Sequence, residues 1–220
     1  MRTDPGIIRK AKDGNRKETM ELARCDKLTA RSYCTTCLIK RPLRSKHCKV
    51  CEACISRFDH HCPWTGNCIG SENHISFMKY LLSLTASIFT YYALGSGHLS
   101  QKPVVVWLAI CILPSFFVAV MVFLQTWQIC INQTSNEMAN YFRFDYFFQE
   151  TKESKNQTAA PLEIDDGLGE GDSFKFRKFA NPFDKGIFRN VLQFWGYEQG
   201  VQWHKLYSVE EQNEKTIAMV

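Results

Sequence analysis

Apolar and polar positions are unevenly spread along the 220 residues. Residues 1–76 are polar, basic and rich in cysteine. Residues 80–101 and 103–136 carry no Asp, Glu, Lys or Arg, and only Lys102 separates them. The rest is polar apart from one aromatic cluster. A helix needs about 20 mostly apolar residues to cross a bilayer core, and both charge-free runs reach that length. The pattern predicts two transmembrane helices over 79–131, joined by a short polar loop near 95–103 (GSGHLSQK from Gly95 to Lys102). A buried hairpin in a soluble core is the alternative. Two adjacent charge-free runs of this length in a small domain argue against it.

The flanking segments read differently. Residues 151–178 are polar, partly acidic and contain glycine, the composition of a disordered linker. In 179–220, Ile187, Phe188, Val191, Leu192 and Trp195 recur at helical spacing, predicting an amphipathic helix followed by a tail. That helix either lies on a membrane or packs under the preceding domain.

Charge fixes an expected topology. The chain has a formal charge of +5, and Arg9, Lys10, Lys12, Arg16, Lys17, Arg41, Arg44, Lys46 and Lys49 all precede the first run. Cytosolic flanks of spans carry the excess of Lys and Arg. Residues 1–30 thus read as a cytosolic juxtamembrane segment, 31–78 as a cytosolic cysteine-rich domain, and 132–150 as a further cytosolic segment. The N-terminus is too polar for a cleaved signal peptide.

Ten cysteines in a reducing compartment do not suggest disulfides. Eight lie between Cys25 and Cys68, and paired Cys-x2-Cys spacing points to tetrahedral zinc. From Cys34 to Cys68 there are seven cysteines and three histidines. Two four-ligand sites would leave one cysteine and one histidine over. The only His–Cys pair with an acid beside it is in Asp59-His60-His61-Cys62. The surplus therefore suggests a reactive thiol with its own base inside a metal-stiffened frame. A zinc-finger nucleic-acid binder is disfavoured by the spans and by the lack of a finger helix after the ligands.

These residues resemble the cysteine-rich domain of the DHHC family of protein S-acyltransferases. The matching stretches are Cys34-Thr35-Thr36-Cys37, Arg41 to Cys48, Cys51-Glu52-Ala53-Cys54, Asp59 to Trp64, Asn67-Cys68 and Asn73 with Phe77. Asp4-Pro5-Gly6, Thr134-Ser135-Asn136-Glu137, and Asn181 to Gly186 with Asn190 resemble three further family motifs. The wording around residues 3–8 and 37–48 is most similar to the subgroup with ankyrin repeats upstream.

The resemblance implies an α-helical multi-pass membrane protein with a small, irregular, two-zinc cytosolic domain. One zinc would take Cys34, Cys37, His47 and Cys54. The other would take Cys48, Cys51, His61 and Cys68. Cys62 would be the nucleophile, His60 its base and Asp59 the orienter. The co-substrate would be an acyl-CoA, and the acceptors cytosolic cysteines of membrane-associated proteins. Arg41, Arg44 and Lys46 are candidate contacts for the CoA phosphates, with anionic lipid head groups as the alternative partner. Trp64 would sit near the acyl thioester. Ser135 would support Asp59 with its hydroxyl, where the family has threonine. Thr65 replaces the family's Val or Ile at similar volume, with little effect expected. Asn181 and Asn190 would anchor the C-terminal helix. The implied location is the Golgi or another endomembrane; association into an oligomer is left open, and no nucleic acid is expected. Family members have at least two spans before the Asp-Pro-Gly motif, whereas Met1 lies three residues before Asp4. The chain is thus expected to be a fragment, a truncated isoform or a degenerate product. The other functional reading is an inactive, membrane-anchored zinc module that binds or dimerises with a partner. Smaller expectations are a polar helix cap at His74, an inert surface thiol at Cys25, a packing role for Cys111, and either acylation or packing for Cys130 at the end of the second span.

Overall fold

The computed structural model describes residues 3–8, 33–96, 102–150, 177–197 and 201–207. Cys25, Arg9, Lys10, Lys12, Arg16, Lys17, most of the expected linker (151–176) and the tail from 208 lie outside the described residues.

The cysteine-rich domain is three short antiparallel hairpins in series. β2 (Tyr33–Cys34) pairs with β3 (Ile39–Lys40), β4 (Lys46–Cys48) with β5 (Ala53–Ile55), and β6 (His60–Cys62) with β7 (Asn67–Ile69). β1 (Ile7–Ile8) adds to the middle hairpin, with Ile7 opposite Ile55. Gly70 makes room for this segment, because a Cβ there would collide with the Pro5 carbonyl.

The hairpins share one register. Cys34 faces Ile39, Cys48 faces Ala53 and Cys62 faces Asn67. The left-handed residue that closes each turn is Leu38 (φ 55°), Glu52 (φ 50°) and Gly66 (φ 59°). Each position recurs every 14 residues: 34, 48, 62 for the tip cysteine and 38, 52, 66 for the turn. Left-handed backbone is strained for residues with a Cβ. Glycine takes it freely, and it stands in the third turn alone.

Two long helices follow. α1 runs His74–Ser96 and α2 runs Lys102–Cys130. They pack antiparallel, with Tyr92 Oη donating to the Leu108 carbonyl at 3.2 Å. Their outer faces leave Phe89, Leu113, Phe116 and Phe123 two-thirds or more exposed, an apolar surface too extensive for water. Among the described residues, α2 is the one helix long and apolar enough to cross a membrane. α1 falls short because Ser83, Thr85, Ser87 and Thr90 dilute its apolar content. Their hydroxyls donate back to carbonyls three or four residues earlier.

After α2 the chain turns at Asn132 into α3 (Ser135–Ala139), then β8 (Phe148–Glu150), β9 (Arg177–Phe179) and α4 (Ile187–Trp195). α4 packs Val191, Phe194 and Trp195 onto the ends of α1 and α2 and leaves Ile187 and Phe188 exposed. Gly196 closes it in a left-handed cap.

Candidate active site and metal clusters

The tip cysteines of one hairpin meet a cross-strand pair of the next. Cys34 and Cys37 meet His47 and Cys54, which face each other across β4 and β5. Cys48 and Cys51 meet His61 and Cys68, which face each other across β6 and β7. In the first cluster His47 Nδ1 lies 3.5, 3.3 and 3.8 Å from the three sulfurs. In the second, His61 Nδ1 lies 3.7, 3.4 and 3.5 Å from its three. Zn–S of about 2.3 Å and Zn–N of about 2.0 Å place tetrahedral ligands roughly 3.6 Å apart. Both clusters therefore fit one zinc ion each, ligated through Nδ1. The structure brings together all eight residues expected as ligands.

The remaining His–Cys pair sits on β6 beside these clusters. His60 Nδ1 donates to Asp59 Oδ2 at 2.7 Å. Asp59 is buried, and its carboxylate also accepts from the Ser135 amide (2.6 Å), the Ser135 hydroxyl (3.0 Å) and Gln125 Nε2 (3.1 Å). Burial alone would raise its pKa. The His60 hydrogen bond and charge and the Ser135 amide outweigh that and hold the carboxyl well below the usual range. His60 follows the same balance in reverse: burial pushes it down, but the bond and charge of Asp59 lift it above the ordinary value.

His60 Nε2 is buried without a hydrogen-bond partner among the described residues, and His60 shares the short strand β6 with Cys62, two residues on. Cys62 is buried against Ile69, Phe77, Met78, Leu81 and Ile129, with Met121 and Val122 beside them. Burial opposes ionisation of its thiol, yet contacts from Thr65 and His60 lower its pKa. A thiol, a base holding its partner's charge and a fixed carboxylate can together attack a carbonyl carbon.

Ser135 reaches Asp59 because of its local fold. Thr134 and Glu137 form a reciprocal capping box at the start of α3, a device that fixes the first helical turn. The Asn136 amide adds a bond to the Asp59 carbonyl at 3.1 Å. Ser135→Ala removes a hydroxyl bond to a buried charge and is expected to lower stability by about 2 kcal/mol. Ser135→Thr should keep it. Thermal melting of the detergent-solubilised chain separates the two.

Several participants escape a reading of motifs. His74 is no simple cap: Arg57 Nη1 donates to its Nδ1 (3.2 Å), so Nε2 carries the proton and donates to Gln125 Oε1 at 2.7 Å. That orientation leaves Gln125 Nε2 to donate to Asp59. A chain of hydrogen bonds thus runs from buried Arg57 through two neutral side chains to the carboxylate. Gln125 and Gln128, polar in an otherwise apolar helix, were the available signal.

The basic residues separate. Arg44 contradicts the expectation of a phosphate contact: its side chain is fully buried, paired with Glu137 at 2.6 Å, and enclosed by the Phe183 and Trp203 rings. Four of its five N–H donors already have partners. Lys46 is exposed, with Nζ donating to Asn136 Oδ1 at 2.8 Å, and Arg41 Nη2 donates to the Ser45 carbonyl at 3.5 Å. Trp64 is 79% exposed and its ring meets Phe117 of α2 edge-on at 6.2 Å. Asn190 Nδ2 donates to the Cys130 carbonyl at 2.7 Å, and Asn181 Nδ2 donates to the Ile131 carbonyl. Both asparagines hold the C-terminal segment to the end of α2.

Comparison with known proteins agrees with this arrangement. A family model described as DHHC palmitoyltransferase matches residues 27–141. Palmitoyltransferase ZDHHC17 of Homo sapiens is 31% identical over 239 residues, covering 95% of this chain and 34% of the relative. Palmitoyltransferase Hip14 of Drosophila melanogaster is 30% identical, covering 97% of this chain and 34% of the relative. Palmitoyltransferase akr1 of Neurospora crassa is 43% identical over 99 residues, covering 44% of this chain and 14% of the relative. The chain spans about a third of the length of the first two relatives.

Proposed function

Since the chain belongs to the DHHC palmitoyltransferase family, we propose that it is a protein S-acyltransferase acting through a Cys62 acyl-enzyme. The observation that carries this reading is a buried Cys62 on the same short strand as His60, whose ring Asp59 holds, while eight neighbouring ligands fill two separate clusters.

In the first half-reaction the Cys62 thiolate attacks the thioester carbon of a long-chain acyl-CoA. The CoA sulfur leaves and takes the proton from His60. In the second, an acceptor cysteine gives its proton to His60 and attacks the Cys62 thioester, releasing the Cys62 thiolate. One thioester replaces another in each step, so no energy source is needed. Asp59 keeps the His60 proton on Nδ1 when the ring is neutral and stabilises the imidazolium when it is charged.

The apolar side chains around Cys62 run along both long helices. A palmitoyl chain gains about 0.8 kcal/mol for each methylene removed from water, and this face is where it would lie. The reading therefore takes α1 as a second span beside α2, with the hairpins and C-terminal segment on the cytosolic side. Lys46 and Arg41 are the candidate contacts for CoA phosphates, and Trp64 borders the thioester. Zinc serves as structure in both clusters. Acceptors are membrane-associated proteins with cytosolic cysteines.

The test is autoacylation in membranes with a clickable palmitate analogue. A hydroxylamine-sensitive label is expected on the wild type and none on Cys62→Ser. A folded, zinc-loaded wild type without label would favour the inactive binding module instead.

A further inference from the structure

Gln125 lies in the last turns of α2 and is fully buried. Polar groups at such depth need partners, and the partners here fix every direction. Gln125 Nε2 lies 3.1 Å from Asp59 Oδ2 and 3.2 Å from Ser135 Oγ, and Oε1 lies 2.7 Å from His74 Nε2. A carboxylate only accepts, so the amide nitrogen must face Asp59 and the amide oxygen His74. A guanidinium only donates, so Arg57 Nη1 fixes the far side of the imidazole, at Nδ1. The two ends demand the same arrangement of His74 and Gln125.

The two oxygens of Asp59 are held differently. Oδ1 takes the Ser135 amide at 2.6 Å. Oδ2 takes His60 Nδ1, and its other two donors are Gln125 Nε2 and the Ser135 hydroxyl. That hydroxyl has one proton and two acceptors at the same distance, Asp59 Oδ2 and Gln128 Oε1, both at 3.0 Å. Gln125 has no such choice, because its oxygen is committed to His74.

We propose that His74 and Gln125 are positioning residues of the acyl transfer, holding the Asp59 oxygen that orients the His60 ring and so aiming the base that serves Cys62. The proposal rests on the acyltransferase reading above. A buried amide can also serve packing alone. What ties this one to the reaction is that its donor falls on the oxygen shared with His60, not on the one held by the Ser135 backbone. Without Gln125, that oxygen depends on a hydroxyl that can turn away to Gln128. The carboxylate then turns on its soft terminal torsion, and the imidazole turns with it. A misaimed base costs rate, not affinity for the thioester. His60 acts in both half-reactions, so both should slow together.

The test uses the full chain in detergent, loaded with radiolabelled palmitoyl-CoA at a range of concentrations and then chased with excess mercaptoethanol. Gln125→Leu should lower the maximal loading rate about tenfold, the scale of one lost hydrogen bond to a charged group. The half-saturating palmitoyl-CoA concentration should stay within about twofold of wild type, and the adduct should persist about tenfold longer in the chase. His74 supplies the finer comparison. Glutamine carries its amide nitrogen as many bonds from Cα as histidine carries Nε2, whereas asparagine carries it where Nδ1 lies. His74→Gln should therefore keep rates within about threefold of wild type, while His74→Asn should fall about as far as Gln125→Leu. Zinc content of two per chain certifies the fold, and if it drops in Gln125→Leu the two His74 variants decide alone. Unchanged rates in a folded Gln125→Leu overturn the proposal. So does a defect confined to the half-saturating concentration, or equal rates for His74→Gln and His74→Asn. If the wild type forms no adduct, the acyltransferase reading falls first and this proposal with it.

Discussion

A strong chelator is expected to remove two zinc ions per chain and to melt residues 33–73 as one unit. The hairpins have only two or three residues per strand. Such hairpins are not stable on their own in water. Their interior is largely the ligands themselves: one buried cluster is Cys34, Cys37, Ile39 and Cys54, another Cys48, Ile55, Phe58 and Cys68. Without metal this packing brings thiol groups together and little else. Structural zinc contributes about 10–16 kcal/mol in small domains, as much as a whole protein's usual stability of about 5–15 kcal/mol.

The interleaving sharpens the expectation. His47 belongs to one cluster and the adjacent Cys48 to the other, on the same strand. Cys54→Ser should therefore release both ions, not one, since a loosened β4–β5 hairpin no longer presents Cys48 and Cys51. Metal content by mass spectrometry and thermal melting follow the two losses together. A variant that keeps one ion and a folded second cluster would show that the sites are independent.

What the sequence made legible is what local spacing carries. The Cys-x2-Cys pairs, the surplus His–Cys pair and the charge-free runs all lie within short windows and point to two metal sites and a spare thiol, while the division of ligands between the sites and the roles in the triad came from the family resemblance. The 14-residue period was equally open to reading. Burial was not legible. Arg44 sits in the same basic stretch as Arg41 and Lys46, but its partner Glu137 is 93 residues away, so no window could tell a buried guanidinium from an exposed one. The chain from Arg57 to Asp59 was hidden likewise, since it depends on where α2 sets Gln125 against α1. The two apolar runs look alike by charge, yet the hydroxyl residues of α1 separate it from α2 by composition.

Arg44→Met is expected to destabilise the protein by about 3–5 kcal/mol, the range for breaking a buried ion pair. In a chain of this size each kcal/mol moves the melting temperature by roughly 2–4 °C, so a drop of about 10 °C should be seen. The guanidinium holds both Glu137 oxygens at 2.6 Å and bonds Asn132 through its side chain (3.1 Å) and carbonyl (2.9 Å). It joins the loop before β4 to the end of α2, to α3 and to the C-terminal aromatics. Methionine fills part of that volume but leaves a buried carboxylate with only the Thr134 amide and the Tyr146 hydroxyl. Arg44→Lys should fare little better, because one ammonium cannot serve Glu137 as a fork and reach Asn132 as well. Adding Glu137→Gln to Arg44→Met removes the stranded charge and keeps an acceptor for the Thr134 amide, so most of the loss should return. The damage should also reach the reaction, since Glu137 fixes the turn that sets Ser135 against Asp59. Zinc content should stay at two per chain in the single variant, which separates this effect from metal loss. A melting temperature within 2 °C of wild type would mean that the pair contributes nothing net, and Arg44 would return to the list of residues open to an anionic ligand.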